Sequence, residues 1–355
     1  MARPWTLVIG GGALGTLLCA RLARVGRVTL LTRWEEHGAA IEARGGITLL
    51  SEEEGRLVTG VEVARCAADV QLTVGARPDA ILLAVKHSGT QRAAEDVADV
   101  LARAMAAGCA LPDAAGCLVA SMQNGIGNSA IVARELARRG MLEDAAARIT
   151  VAQGLTTNGA TIVEPGVVRH AGRGPTEVGI ARAHSVTRDA EAVERLCATL
   201  SAAGLAARAR EDIETAVWEK LAVNAAINAL SALLRVPNGS VHASPACRSL
   251  AQRVVSEVAA VARAEGAALA LDADAALLER ALRVAERTAA NRSSMLTDVL
   301  AGRQTEVGAI NGAVVAAGAA RGIATPTNAL LVELLAATHE TRGERVAGAQ
   351  LQARR

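Results

Sequence analysis

Residues 216–235, AVWEKLAVNAAINALSALLR, set Lys220, Asn224, Asn228 and Ser231 into a run in which most other positions are Ala, Leu, Val, Ile or Trp. At about 100° per residue, Lys220, Asn224, Asn228 and Ser231 fall on one stripe of a helix. A helix apolar almost all round is buried, so the stripe needs partners other than bulk water. A lysine leading it suits general acid–base chemistry, because partial desolvation lowers an ammonium pKa toward the working range. The competing reading has Lys220 snorkelling to solvent while the asparagines cap neighbouring elements. Just downstream, the turn Val236-Pro237-Asn238-Gly239 can bring another amide to the same place. A further polar stretch runs from Asn291 to Asp298 and from Gly302 through Thr305 and Glu306 to Gly312. Ser293 or Ser294 starts a helix there, Gly302 breaks it and Thr305 starts the next. Asp298 reads as a surface charge.

A second kind of chemistry is written at the start of the chain, where TLVIGGGALG occupies residues 6–15. An apolar strand, a Gly10-x-Gly12-x-x-Gly15 turn and an apolar helix follow one another, which is the setting a dinucleotide fingerprint needs. Gly10 permits the tight turn, Gly12 lets the backbone approach a pyrophosphate, and Gly15 lets helix and strand pack closely. The phosphates then sit on the free N–H groups at the helix start, over Gly12, Ala13, Leu14 and Gly15. The next strand, Val28 to Arg33, ends in a basic residue with no acid until Glu35. A basic strand end receives the 2′-phosphate of NADPH, whereas an acid would bind the ribose of NAD. The bland alternative for Arg33 is a solvated loop residue. Asp79 to Lys86 and Gly116 to Gly125 repeat one design, a strand delivering Lys86 or Asn124 at its C-terminal end, where open α/β sheets bind ligands.

The elements that must hold these groups divide the chain. Residues 1–211 read as a Rossmann-type α/β domain for NADP, residues 212–342 as an all-α catalytic domain, and 343–355 as a flexible tail. Residues 47–76 read as an irregular extension of the sheet. Ile149–Gln153, Gly166–Ala171 and Thr176–Ala181 read as its antiparallel end. Asp189–Ala203 reads as a helix, Ala206–Arg210 as a last short strand, and Pro326 as the start of the final helix. A core with no Phe, no Tyr and three Trp must be packed from Ala, Val and Leu. That composition offers no aromatic platform for single-stranded nucleic acid, and a net charge of +2 gives no polyelectrolyte footprint. A small-molecule partner follows, with no nucleic acid and no membrane; a homodimer is compatible. The six cysteines show no CxxC and no metal spacing, so free thiols in the cytoplasm are expected. Arg3 ahead of an apolar run imitates a secretory signal, but glycines interrupt the run, and Arg21 and Arg24 continue an amphipathic helix.

With these pieces in order, the chain resembles the ketopantoate reductase family over almost its whole length. The resemblance rests on the glycine loop, Arg33, Ala84-Val85-Lys86 and Gln123-Asn124-Gly125. It rests also on Trp218-Glu219-Lys220 through Asn228, Pro237-Asn238-Gly239, Ser293-Ser294-Met295, Thr305-Glu306 and Ile310-Asn311-Gly312. It implies NADPH-dependent reduction of 2-dehydropantoate to (R)-pantoate in pantothenate and coenzyme A synthesis, without a metal. By the resemblance Lys220 is the general acid, and Asn124 orients the lysine and the nicotinamide side of the site. Asn224, Asn228 and Asn238 contact substrate and lysine, Ser294 donates to the substrate carboxylate, and Glu306 accepts from a substrate hydroxyl and from Lys220. Three departures bear on substrate choice: Gly308 replaces a frequent acid, Ala/Gly-rich additions lie near 104–116 and 136–148, and the absence of Phe and Tyr leaves aliphatic walls. Two other functions stay open, reduction of a different, bulkier 2-oxo acid and a non-catalytic NADP-binding regulator.

Overall fold

The computed structural model describes residues 3–51, 55–72, 77–109, 116–143, 147–181, 189–270 and 272–344. The expected tail falls outside them from residue 345 onward, as do 110–115 and 144–146 of the Ala/Gly-rich additions. The chain divides into two compact units, residues 1–214 and 215–355.

The first unit opens with β1 (Trp5–Ile9), α1 (Ala13–Leu22), β2 (Arg27–Leu31) and α2 (Glu35–Arg44). Then come β3 (Gly46–Leu50), β4 (Gly55–Thr59), β5 (Val61–Ala64), β6 (Ala80–Leu83), α3 (Thr90–Ala106), β7 (Cys117–Ser121) and α4 (Asn128–Arg138). It closes with β8 (Ile149–Thr156), β9 (Gly159–Glu164), β10 (Val167–Gly172), β11 (Thr176–Ile180), α5 (Ala190–Ala202) and β12 (Ala207–Ala209). Eight strands form one sheet in the order β12-β11-β8-β7-β6-β1-β2-β5, parallel except for the β8–β11 pair. Period-2 alternation feeds a core on each face. From β1 and β6, Leu7, Ile9, Ile81 and Leu83 join the α3 and α4 side, while Val8 and Leu82 join the α1 and α5 side. Both faces are covered, which is why every position of β1, β6 and β7 is buried and all but Thr6 and Ser121 are apolar.

Two expectations for the sheet are corrected. Of the described residues between 47 and 76, only β5 extends the main sheet; β3 and β4 build a separate four-stranded sheet, β4-β3-β10-β9. Likewise the segment at 166–171 is β10, which pairs with β3 and β9, and β8 runs parallel to β7. The cause is the β9–β10 hairpin around Pro165 and Gly166 (φ 78°), which turns the chain back on itself away from the main sheet. The expected helix at 189–203 is α5, with Asp189 capping it by accepting from the Ala192 N–H at 3.0 Å.

The second unit is helical. It comprises α6 (Ile213–Leu234, which starts two residues before the boundary), α7 (Gly239–Ala243), α8 (Pro245–Ala264) and α9 (Ala273–Arg287). The series ends with α10 (Ser294–Leu300), α11 (Asn311–Ala320) and α12 (Pro326–Glu340). No helix start occurs at Thr305. Residues 306–310 form turns in which the Glu306 carbonyl accepts from Ala309 and Ile310, and the next helix begins at Asn311. Gly302 (φ 66°) does end α10, its N–H bonded to the Val299 carbonyl. Among the described residues no helix is long and apolar enough to cross a membrane.

Two buried histidines lock parts of the first unit. The Gly166 N–H donates to His37 Nδ1 at 3.2 Å, so the His37 proton sits on Nε2 and is donated to Thr16 Oγ1 at 3.0 Å. The Thr16 hydroxyl in turn donates to the Gly11 carbonyl at 3.3 Å, and Trp34 stacks on the imidazole at 4.7 Å between ring centroids. His170 Nδ1 accepts from Arg21 Nη2 at 2.8 Å, and its Nε2 proton goes to Asn158 Oδ1 at 2.9 Å. Burial pulls both imidazoles below the ordinary 6.5, helped at His170 by Arg21 and Arg173. Between the lowered folded value and the unfolded value, the unfolded chain holds protons that the folded chain does not. Stability is therefore lost as pH falls below about 6.5. The expected outcome is a Tm that drops between pH 7 and 5, less steeply in His170→Gln, which cannot take up a proton. Identical slopes for variant and parent would refute the assignment.

Candidate active site

Three glycines shape the loop after β1, each for a separate reason. Gly10 has φ 117°, and a Cβ there would lie 2.8 Å from the Ala84 backbone. A Cβ on Gly15 would fall 1.9 Å from the Gly10 carbonyl oxygen, so helix and loop pack at van der Waals limit only without a side chain. Gly12 is different, since its nearest neighbour would be the Ala84 carbonyl at 3.9 Å, ordinary contact distance. Gly12 is also the N-cap of α1, with no side-chain cap and no acid in the first turn. Uncapped amides at a glycine that meets only ordinary contacts form a cradle suited to an anion. Gly15→Ala is expected to destabilise the fold by about 1–3 kcal/mol. Gly12→Ala should leave Tm unchanged and weaken dinucleotide binding; a Gly12 variant that melts early with intact binding would reverse the assignment.

Arg33, Lys86 and Asn124 follow the C-terminal ends of β2, β6 and β7, the same edge as the glycine loop. Arg33 is exposed but engaged, its Nη2 donating to both carboxylate oxygens of Asp96 at 2.8 Å. Lys86 is exposed at the start of a short 3-10 turn, His87–Gly89. Asn124 is half-buried, and its carbonyl accepts from Asn128 Nδ2 at 3.1 Å. Asn128 was not singled out from sequence. Fully buried at the first position of α4, it also accepts on Oδ1 from His87 Nδ1 (2.8 Å) and Thr90 Oγ1 (3.1 Å). Gln123 Nε2 donates to that same threonine at 2.7 Å. The loops after β6 and β7 are thereby tied together behind Lys86 and Asn124. The readable signal was a second amide four residues after Asn124, on the first turn of a helix.

In the helical unit the stripe is visible as burial. Every residue from Leu221 to Ala232 is buried except Asn224 and Asn228, which with Lys220 are half-buried along one line of α6. The line ends at Ser231, fully buried, whose Oγ lies 2.8 Å from Ser293 Oγ. Ser293 is the N-cap of α10, accepting from the Leu296 N–H at 3.0 Å, while Ser294 is exposed at the first helical position. Burial pulls the Lys220 ammonium from 10.5 down to about 8, and the Glu306 carboxylate opposes that shift. Glu306 itself is half-buried on the turn before α11. Asn238 is buried at the N-terminus of α7; its Nδ2 donates to Thr288 Oγ1 at 3.0 Å, and its Oδ1 finds no hydrogen-bond partner. An orphaned buried acceptor of this kind is open to a donor from a ligand.

Lys220 and Glu306 are thus brought into electrostatic reach, and Ser231 is joined to Ser293, whereas the hydrogen bond of Asn238 goes to Thr288, the residue that ends α9. Asp298, expected on the surface, is buried and paired with Arg303 Nε at 2.9 Å. The Gly302 turn folds Arg303 back over the last turn of α10, with the Arg303 N–H bonded to the Asp298 carbonyl. Among the described residues no group of three or more His, Cys, Asp or Glu could hold a metal ion.

Comparison with known proteins gives one consistent picture. The model of ketopantoate reductase PanE/ApbA matches residues 6–183, and that of its C-terminal domain matches residues 212–339. A 2-dehydropantoate 2-reductase of Halobacterium salinarum is 34% identical over 330 residues, covering 93% of this chain and 97% of the relative. One from Archaeoglobus fulgidus is 34% identical over 331 residues, 92% of this chain and 95% of the relative. Among solved structures, a PanE/ApbA family ketopantoate reductase from Ralstonia eutropha JMP134 superposes with TM-score 0.76 at 29% identity, covering 96% of this chain and 99% of that one. D-mandelate dehydrogenase, solved with NADH and anilino(oxo)acetate, shares the fold at 22% identity and TM-score 0.75, covering 95% of this chain and 98% of its own.

Proposed function

The chain belongs to the ketopantoate reductase family, and from that membership we propose that it reduces 2-dehydropantoate to pantoate with NADPH. It is a nicotinamide-dinucleotide-dependent oxidoreductase acting on a keto group. In this reading residues 1–211 form the cofactor domain and 212–342 the catalytic domain. The observation that carries it is a lysine at the head of a half-buried amide stripe, held near pKa 8 by burial and kept protonated against burial by Glu306.

The residues present suit the cofactor. The bare backbone at Gly12 and the uncapped start of α1, with Gly10, Ala13, Leu14 and Gly15, would hold the pyrophosphate. Arg33 would take the 2′-phosphate, with Lys86, Asn124 and Glu306 as further cofactor contacts. Bound NADPH supplies the hydride. As negative charge grows on the substrate carbonyl oxygen, the Lys220 ammonium stabilises that charge and delivers a proton to it. Asn124 orients the nicotinamide side of the site, and Asn224, Asn228 and Asn238 fix substrate and lysine through their amides. Ser294 donates to the substrate carboxylate, and Glu306 accepts from the substrate hydroxyl and from Lys220. Each contact fixes the ketone before transfer, so little reorganisation is left for the transition state.

The test is loss of NADPH absorbance with 2-dehydropantoate against a panel of bulkier 2-oxo acids, ranked by kcat/KM. The proposal requires 2-dehydropantoate to rank first. A bulkier acid in first place would make the chain a reductase of that acid. Tight NADPH binding without oxidation by any of them would make it a regulator.

A further inference from the structure

A carboxylate in the middle of an apolar helix face is costly unless something requires it. Asp96 stands on α3 among Ala93, Ala94, Val97, Val100 and Leu101, all buried, and is itself only 1% exposed. Its partner among the described residues is Arg33, 63 residues away, whose Nη2 spans both carboxylate oxygens at 2.8 Å. The two ends of the pair are unlike, since the Asp96 side chain is 2% exposed and that of Arg33 is 43% exposed. Arg33 thus offers its guanidinium to solvent from a buried anchor. Among the described residues neither Nη1 nor Nε of Arg33 makes a hydrogen bond, and holding Nη2 restricts where the planar group can carry them.

We propose that Asp96 is the positioning residue that sets the preference for NADPH over NADH, by holding Arg33 ready at the end of β2. The inference rests on the reading of Arg33 as the 2′-phosphate contact. A free arginine loses much rotamer freedom when a ligand immobilises it, and an anchored one has lost it already. Asp96 serves the discriminating phosphate alone, because NADH carries nothing for Arg33 to grip. Its own charge works in the opposite sense, subtracting from the attraction between Arg33 and the phosphate. The two effects predict opposite signs for its removal.

The experiment is calorimetric titration of the parent, Asp96→Ala and Asp96→Asn with NADPH and with NADH at one ionic strength, with Tm as a check on folding. Removing Asp96 leaves Arg33 at the surface, where water solvates it. Asparagine keeps the shape and one acceptor, so that variant carries the test if alanine perturbs the helix. A parent that prefers NADPH, with an Asp96→Ala Kd for NADPH raised about tenfold, an intermediate Asp96→Asn and unchanged NADH binding, supports the inference. Retained preference, equal weakening of both cofactors, or tighter NADPH binding overturns it while leaving the role of Arg33 intact. A parent that does not discriminate refutes the 2′-phosphate reading, and this inference with it.

Discussion

Lys220→Ala is expected to lower kcat by about 10²–10⁴, roughly 3–5 kcal/mol of transition-state stabilisation. The magnitude follows from the double duty of the ammonium, which neutralises charge on the forming alkoxide and also supplies its proton. Nothing else on the buried face of α6 can take over, because the neighbouring polar groups are the amides of Asn224 and Asn228, which carry no transferable proton at neutral pH. The substitution should be tolerated by the fold. Alanine is the best helix former, and Lys220 is half-buried, so no large cavity opens. Calorimetry should find NADPH binding near that of the parent, since the glycine loop and Arg33 belong to the other unit. Turnover within a few-fold of the parent would remove Lys220 from the chemistry.

Glu306→Gln should move the alkaline limb of the kcat/KM profile to lower pH. Reduction needs the protonated lysine, so activity falls as pH rises through the value near 8. Burial is the larger cause and lowers that value; the Glu306 charge is the opposing one. Removing the charge leaves burial unopposed, and the lysine gives up its proton earlier. On the alkaline side activity then falls about tenfold for each pH unit the limb moves. An unmoved limb would mean that the carboxylate contributes nothing to the charge state of Lys220, whatever it does to the substrate.

What the sequence made legible was local. Strand, glycine turn and helix adjoin at residues 5–22, and the amide stripe is a periodicity within one helix, so both could be read from spacing alone. What it hid depends on partners far along the chain. Nothing in residues 46–50 announces that β3 will pair with β10, more than a hundred residues on, rather than with the main sheet. Arg33 reads as a free basic end because Asp96 lies in another helix. Ser293 and Ser294 are equally good caps by type, and they are distinguished by the Leu296 N–H and the Ser231 hydroxyl, which both bond to Ser293, the latter from 62 residues away. Thr305-x-Val307 imitates a helix start, yet Glu306 is used instead in turns that hold its side chain beside the lysine's field.

Trp34, stacked on His37 next to Arg33, gives this protein an optical address. With no tyrosine or phenylalanine in the chain, near-ultraviolet absorption and emission belong to three indoles. Trp5 and Trp218 are buried at 4% and 7% exposure, whereas Trp34 is 41% exposed. A collisional quencher such as acrylamide therefore reaches Trp34 first, and the quenchable fraction of the emission reports on one strand end. A dinucleotide seated against Arg33 should shield that indole, so occupancy of the phosphate end can be followed by light without a label and without turnover.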